Sequence, residues 1–210
     1  MQNELPAASG KTKTLIVLLH GVGSNGDDLF SLAPFLAQSL PDVHFFAPDG
    51  IESCDMGPFG YQWFSLQNRD EEVLRSELER VAPKIRSLIK NKAEELGLGL
   101  QDVILLGFSQ GTMTSLYLAL TSEVDYKALV GFSGALVLPT EPRATKTPIF
   151  LSHGTEDDIL DHSSMERAEK FLRDLGVNVE TLSVPYLAHS IDMNGLDKAV
   201  SFIKKQLFHS

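Results

Sequence analysis

Apolar residues along the chain fall into two alternating patterns. Short unbroken aliphatic runs, Thr14 to Leu19, His44 to Ala47, Val103 to Leu106, Ala128 to Phe132, Pro148 to Ser152 and Val179 to Val184, have strand length, and most are too apolar to leave one face in water. Between them, apolar residues recur every three or four positions. Leu29, Leu32, Phe35 and Leu36 form one such stripe, and Met113, Leu116, Tyr117 and Leu120 form another. Positions 74, 78, 81, 85, 88 and 89 predict a long helix over 70–96 that Pro83 should kink or split and Gly97 should end. Met165, Ala168, Phe171, Leu172 and Leu175 predict a further helix, and Leu196, Val200, Ile203 and Leu207 a last one from about Asp192. Strands alternating with helices predict an α/β fold whose mostly parallel sheet is covered by helices on both faces. In such sheets ligands sit beyond the carboxyl ends of the strands, which confines the search for chemistry to the loops after strands.

In the stretch DVILLGFSQGTMTSLYLAL, residues 102–120, a buried strand turns directly into an amphipathic helix at Ser109. Gly107 and Gly111 flank that serine as G-F-S-Q-G, the G-x-S-x-G nucleophile elbow. Side chains at the two glycines would collide with the neighbouring strand and helix. A similar stretch, Gly131-Phe132-Ser133-Gly134, has Ala135 at the place of the second glycine, so Ser133 reads as a strand-end residue.

A serine hydroxyl needs a general base, and histidine suits neutral pH best. His20 and His153 each end a strand before a glycine, where a histidine more often ties a loop together. His44 begins a strand at the wrong end of the sheet, His162 starts a helix, and His209 lies in the last two residues. His189, in the loop PYLAHSID before the last helix, has no such structural explanation and is the expected base. The carboxylate that orients it is expected in HGTEDDILDH, where Glu156, Asp157, Asp158 and Asp161 all qualify. The order Ser, acid, His is that of α/β-hydrolases. The N–H of Gln110, after the nucleophile, is one expected oxyanion donor, and the glycine-rich loop His20 to Gly26 should supply a second.

Composition narrows the setting. A chain of 210 residues with 43% hydrophobic content suits one well-buried domain spanning 1–210. A net charge of -10 argues against nucleic acid and against tight docking on anionic membranes. No apolar stretch is long enough to span a bilayer, the N-terminus lacks the apolar core of a signal peptide, and the single Cys54 cannot form an internal disulfide. A cytoplasmic protein without stable membrane insertion is expected. No metal-ligand spacing or dinucleotide fingerprint occurs, so neither metal nor organic cofactor is expected.

The segments L-H-G-V-G-S-N-G-D-D-L, Q-W-F-S-L, G-F-S-Q-G, H-G-T-E-D-D-I-L and A-H-S resemble, in that order, the small lidless phospholipase/carboxylesterase family of α/β-hydrolases, which includes acyl-protein thioesterases and bacterial carboxylesterases. The resemblance implies an α/β-hydrolase fold without a large cap domain. It also implies a Ser-His-Asp triad with Asp157 as the acid and Val22 as the second oxyanion donor. The family usually continues past the acid with a hydrophobic pair and a proline, whereas this chain has Ile159, Leu160 and Asp161, which keeps Asp158 and Asp161 as alternatives. Implied substrates are small carboxylic esters, thioesters, lysophospholipids or acylated proteins, hydrolysed by a monomer or homodimer. Residues 51–67 offer Phe59, Tyr61, Trp63 and Phe64 to an acyl groove; Trp63 and Phe64, with Leu160, are the expected substrate contacts. The rival readings are a serine peptidase and a non-catalytic scaffold that binds an ester-like ligand or a protein partner.

Overall fold

The computed structural model describes residues 3–208, so His209 lies outside the described residues. Strand β1 (Asn3–Leu5) precedes β2 (Thr14–Leu19), and two short helices, α1 (Gly26–Phe30) and α2 (Ala33–Ala37), lead to β3 (Val43–Ala47). A small hairpin, β4 (Glu52–Ser53) and β5 (Tyr61–Gln62), is followed by the long helix α3 (Glu71–Glu95). Then come β6 (Val103–Phe108), α4 (Gln110–Thr121), β7 (Ala128–Phe132), β8 (Ile149–Gly154), α5 (Ser163–Asp174), β9 (Val179–Val184) and α6 (Met193–Phe208). Seven strands form one sheet in the order β1-β3-β2-β6-β7-β8-β9, parallel throughout except for β1, which runs antiparallel on β3.

Side-chain alternation sorts the core into two layers. Leu15, Val17 and Leu19 of β2, with Val103 and Leu105 of β6, face α3, α4 and α5. Ile16 and Leu18, with Ile104 and Leu106, face α1, α2 and α6. The register Ile16↔Ile104, Val17↔Leu105 keeps both layers aligned across the centre of the sheet. The strands are apolar on both faces because both faces are covered.

Several expectations shift. The single stripe through Leu29 and Leu36 is two helices, because Pro34 stands in the first turn of α2, where its missing N–H costs nothing. Pro83 does not split α3. It occupies an exposed position, so the carbonyl it leaves without a helical donor can be met by water. His44 does not begin its strand but lies within it, buried, with Nε2 3.1 Å from Glu4 of β1. Glu4 also receives Lys92 of α3 at 2.9 Å, so the edge strand is anchored by charge as well as by backbone pairing. Strand β8 continues through His153 and Gly154, which places His153 inside the sheet rather than in the loop after it.

Candidate active site

Ser109 sits between the last residue of β6 and the first of α4 with φ 54 and ψ -114, a left-handed conformation that non-glycine residues rarely adopt. The turn holds because both sides are over-determined. Ser109 N–H donates to Phe132 O at 2.9 Å, and Ser109 O accepts from the amides of Thr112 and Met113. A side chain at Gly107 would overlap the backbone of Gly111 and Thr112, and one at Gly111 would overlap Leu19 O, so the elbow closes only with glycine at both places. Thr112 locks it further: Oγ1 lies 2.8 Å from Gly107 O and 2.9 Å from Phe132 O, and accepts the Phe132 N–H at 3.0 Å. Gly131 and Gly134 are the space this threonine occupies, which accounts for the second glycine-serine stretch as packing.

Two neighbouring loops converge beside the elbow. His189, in the loop between β9 and α6, meets Phe108 at a tilt of 45° with ring centroids 5.0 Å apart, and its Nδ1 lies 2.8 Å from Asp157 Oδ2. Asp157 is buried at the end of β8, and its other oxygen accepts the amides of Ile159 at 3.0 Å and Leu160 at 2.9 Å. Burial would push this carboxyl up, but the Leu160 amide, His189 and the Ile159 amide outweigh it and hold it below the usual carboxylate range. The loops can approach because Gly154 leaves room for the backbone of Leu187 and Ala188. Of the four acids in the loop, Asp157 is the one in contact with His189. Asp158 is exposed, and Asp161 Oδ1 instead accepts the Ser163 N–H at the start of α5.

The glycine-rich loop after β2 faces the elbow and is tied down by the chain that follows β3. Gly23 N–H donates to Tyr61 O at 2.9 Å and Tyr61 N–H to Ser24 O at 2.7 Å, so β5 works as a brace for residues 22–24. His20 is fully buried: its Nδ1 is 2.7 Å from Gly21 O, and its Nε2 accepts the Gly50 N–H at 2.8 Å. These partners require the neutral Nδ1–H tautomer, and burial pulls the imidazole below its ordinary value. Gln110, first residue of α4, has a backbone N–H with no partner inside the helix, as an oxyanion donor needs. Its buried side chain accepts from Trp63 N–H at 2.9 Å and donates to Phe64 O at 2.7 Å.

That clamp corrects the expectation for the aromatic loop. Trp63 and Phe64 have no exposed surface, and Trp63 Nε1 donates to His20 O at 2.9 Å. They pack under the elbow and the glycine-rich loop with no surface open to solvent, whereas Phe59 is 84% exposed. The role of Gln110 as a clamp was missed by sequence reasoning, since the elbow pattern leaves that position open. A cavity of about 310 Å³ opens between the loop after β7 and α5, lined by Ala135, Leu136, Leu138, Ala168 and Phe171 with Glu71, Ser164 and Arg167 at its polar side.

The whole chain has counterparts of known kind. Residues 2–207 match the phospholipase/carboxylesterase family model. The chain belongs to this family. The crystal structure of esterase PE8 superposes with a TM-score of 0.90 at 38% identity over 97% of each chain. Esterase YpfH of Escherichia coli (strain K12) is 27% identical over 90% of this chain and 82% of its own length. Acyl-protein thioesterase 1 of Emericella nidulans is 29% identical over 96% and 93%.

As a member of the phospholipase/carboxylesterase family the chain is an ester hydrolase with the α/β-hydrolase fold and no large cap domain. Asp161 ends the loop after the acid and accepts an N–H from the start of α5, while Leu160, half-buried, contributes its N–H to Asp157 and its carbonyl to His153. No helix among the described residues is long and apolar enough to cross a membrane.

Proposed function

We propose that the protein cleaves carboxylic esters and acyl thioesters through an acyl-enzyme on Ser109. Ser109 Oγ attacks the acyl carbon while its proton passes to His189 Nε2, and Asp157 holds the imidazole by Nδ1. The carbonyl oxygen, now an anion, is met by the N–H groups of Gln110 and Val22. The tetrahedral intermediate then collapses, the C–O or C–S bond breaks, and the leaving group takes the proton from His189. Water, activated by the same imidazole, releases the acid and restores Ser109.

The observation that carries this reading is the strained Ser109 at the strand-to-helix turn, with the half-buried His189 paired to a buried Asp157 beside it. A scaffold binding an intact ester has no use for a left-handed serine at a strand-to-helix turn whose neighbouring ring, Phe108, meets an imidazole paired to a buried carboxylate. We assign the acyl chain to the cavity lined by Leu136, Leu138 and Phe171, and the protein to the cytoplasm as a monomer or homodimer.

The test is an active-site phosphonate followed by peptide mapping, beside Ser109→Ala kinetics on p-nitrophenyl esters, an acyl thioester and a lysophospholipid. Label on Ser109 alone, with kcat lost by orders of magnitude and folding intact, is the expected result. Label on another serine, or activity retained by Ser109→Ala, refutes the assignment. Ala135→Phe, which fills the cavity, is expected to depress octanoate turnover far more than acetate turnover.

A further inference from the structure

His153 is a buried imidazole to which the reaction above assigns no task. It projects from β8 four residues before the acid, and its Nε2 lies 2.7 Å from Leu160 O and 3.1 Å from Asp157 Oδ2, with both side chains removed from solvent. The shorter distance takes the hydrogen bond. The longer one places the positive end of the same N–H beside the carboxylate oxygen that holds His189. Leu160 in turn gives its own N–H to Asp157 Oδ1, so His153, Leu160 and Asp157 close a ring around the carboxylate. Asp157 Oδ2 therefore stands between two imidazoles, 2.8 Å from one and 3.1 Å from the other.

We propose that His153 is a positioning residue for the reaction, clamping the Asp157 carboxylate in the rotamer that orients His189 and tempering the negative charge that His189 feels. The proposal rests on the Ser109–His189–Asp157 reading. It requires His153 in the neutral Nε2–H tautomer, since only a protonated Nε2 donates to a carbonyl. Burial, the leading influence on His153, works in that direction by pulling its imidazole below the ordinary range.

The surroundings decide what else could set the charge here. The His162 ring meets His153 edge-on at 5.9 Å and is itself tied to Ser183 Oγ of β9 and placed 3.5 Å from Glu166. Asp161 and Arg167 lie at the start of α5, and Glu156 and Asp158 flank the acid as exposed carboxylates. From α4, β7 and the buried side of α5, the groups around His153 are uncharged: Thr112, Leu116, Gly131, Met165 and Ala168. His189 and His153 are thus the imidazoles within 3.5 Å of the Asp157 carboxylate among the described residues.

His153→Leu keeps volume and removes the donor, while His153→Gln returns an N–H near the position of Nε2. For His153→Leu the expected result is a fall in kcat of about ten-fold or more, with KM within two-fold. The acid limb of kcat/KM is also expected to move to higher pH, because a carboxylate relieved of one donor attracts the His189 imidazolium more strongly. His153→Gln is expected to restore most of both, and His153→Leu is expected to add little in an Asp157→Asn background, where the group it acts through is already gone. A limb that does not move, no recovery in His153→Gln, or a full additional loss in the Asp157→Asn background would overturn the proposal. Should His153→Leu not fold, the tautomer of His153 read from imidazole nitrogen shifts in the unaltered protein still decides: a proton on Nδ1 and none on Nε2 excludes it. Failure of the triad itself reads out separately, as activity surviving Ser109→Ala.

Discussion

At the residue scale, burial separates two side chains that the sequence presents alike. Trp63 stands beside Phe64 in a loop rich in aromatics, yet its indole N–H bonds to His20 O and its ring has no exposed face. Trp63→Ala is therefore expected to cost about 3–5 kcal/mol of stability, as truncation of a fully buried aromatic does, measurable by chemical denaturation. Turnover of acetate and octanoate esters should fall by the same factor, and a selective loss of octanoate would return Trp63 to the acyl site. For the acids the contacts give a ranking. Asp157→Asn presents the wrong group to His189 Nδ1 and is expected to lower kcat by about 10⁴-fold, whereas Asp158→Asn and Asp161→Asn should leave it within a few-fold. Steady-state kinetics of the three variants distinguish these outcomes.

At the element scale, the site depends on how closely α4 can approach the sheet. Thr112, in the first turn of α4, bonds to backbone of both β6 and β7, and Gly131 and Gly134 make the space for it. Thr112→Val preserves shape but strands the Phe132 N–H and removes the hydroxyl donor, while Phe132 O keeps the Ser109 N–H. A loss of about 1–3 kcal/mol is expected on denaturation, with a larger fall in kcat than in acyl selectivity because the elbow carries Ser109. Gly134→Ala forces a methyl group onto Thr112 and should destabilise by a similar amount, about 1–3 kcal/mol. The hairpin β4–β5 belongs to this scale as well. Two-residue strands carry little sequence signal, but through Tyr61 they brace the loop that holds Val22.

At the scale of the whole molecule, stability and activity should respond to acid through different groups. Burial lowers the pKa of His20 and of His153, so the unfolded chain takes up protons that the folded chain refuses. Folding is favoured most above the free-histidine value of ~6.5 and loses stability as pH falls below it toward the depressed folded values. Asp157, also lowered, adds a second loss only as pH falls below the free-carboxylate value of ~3.9. His20→Asn should flatten the first slope by up to ~1.4 kcal/mol per pH unit, seen as denaturation midpoints between pH 7 and 5. An equal slope in the variant would show that His20 is not one of the groups responsible.

The alternation of strands and helices, the two-faced sheet, the elbow at Ser109 and the loop that carries His189 are all legible in the residues alone. Each is written in local spacing, either the apolar period or glycine where a side chain cannot fit. Family resemblance narrowed the acid to Asp157, but four carboxylates within six residues look alike until one of them is brought to an imidazole. Folding in three dimensions was needed to show that Trp63 is buried and bonded to His20 and Gln110, that β1 is held by Glu4 and Lys92, and that His153 shares a carboxylate with His189. All of these are contacts between segments far apart in sequence or properties of burial. Burial and long-range polar pairing come from how the chain closes on itself, and no local pattern of apolar and polar residues encodes them.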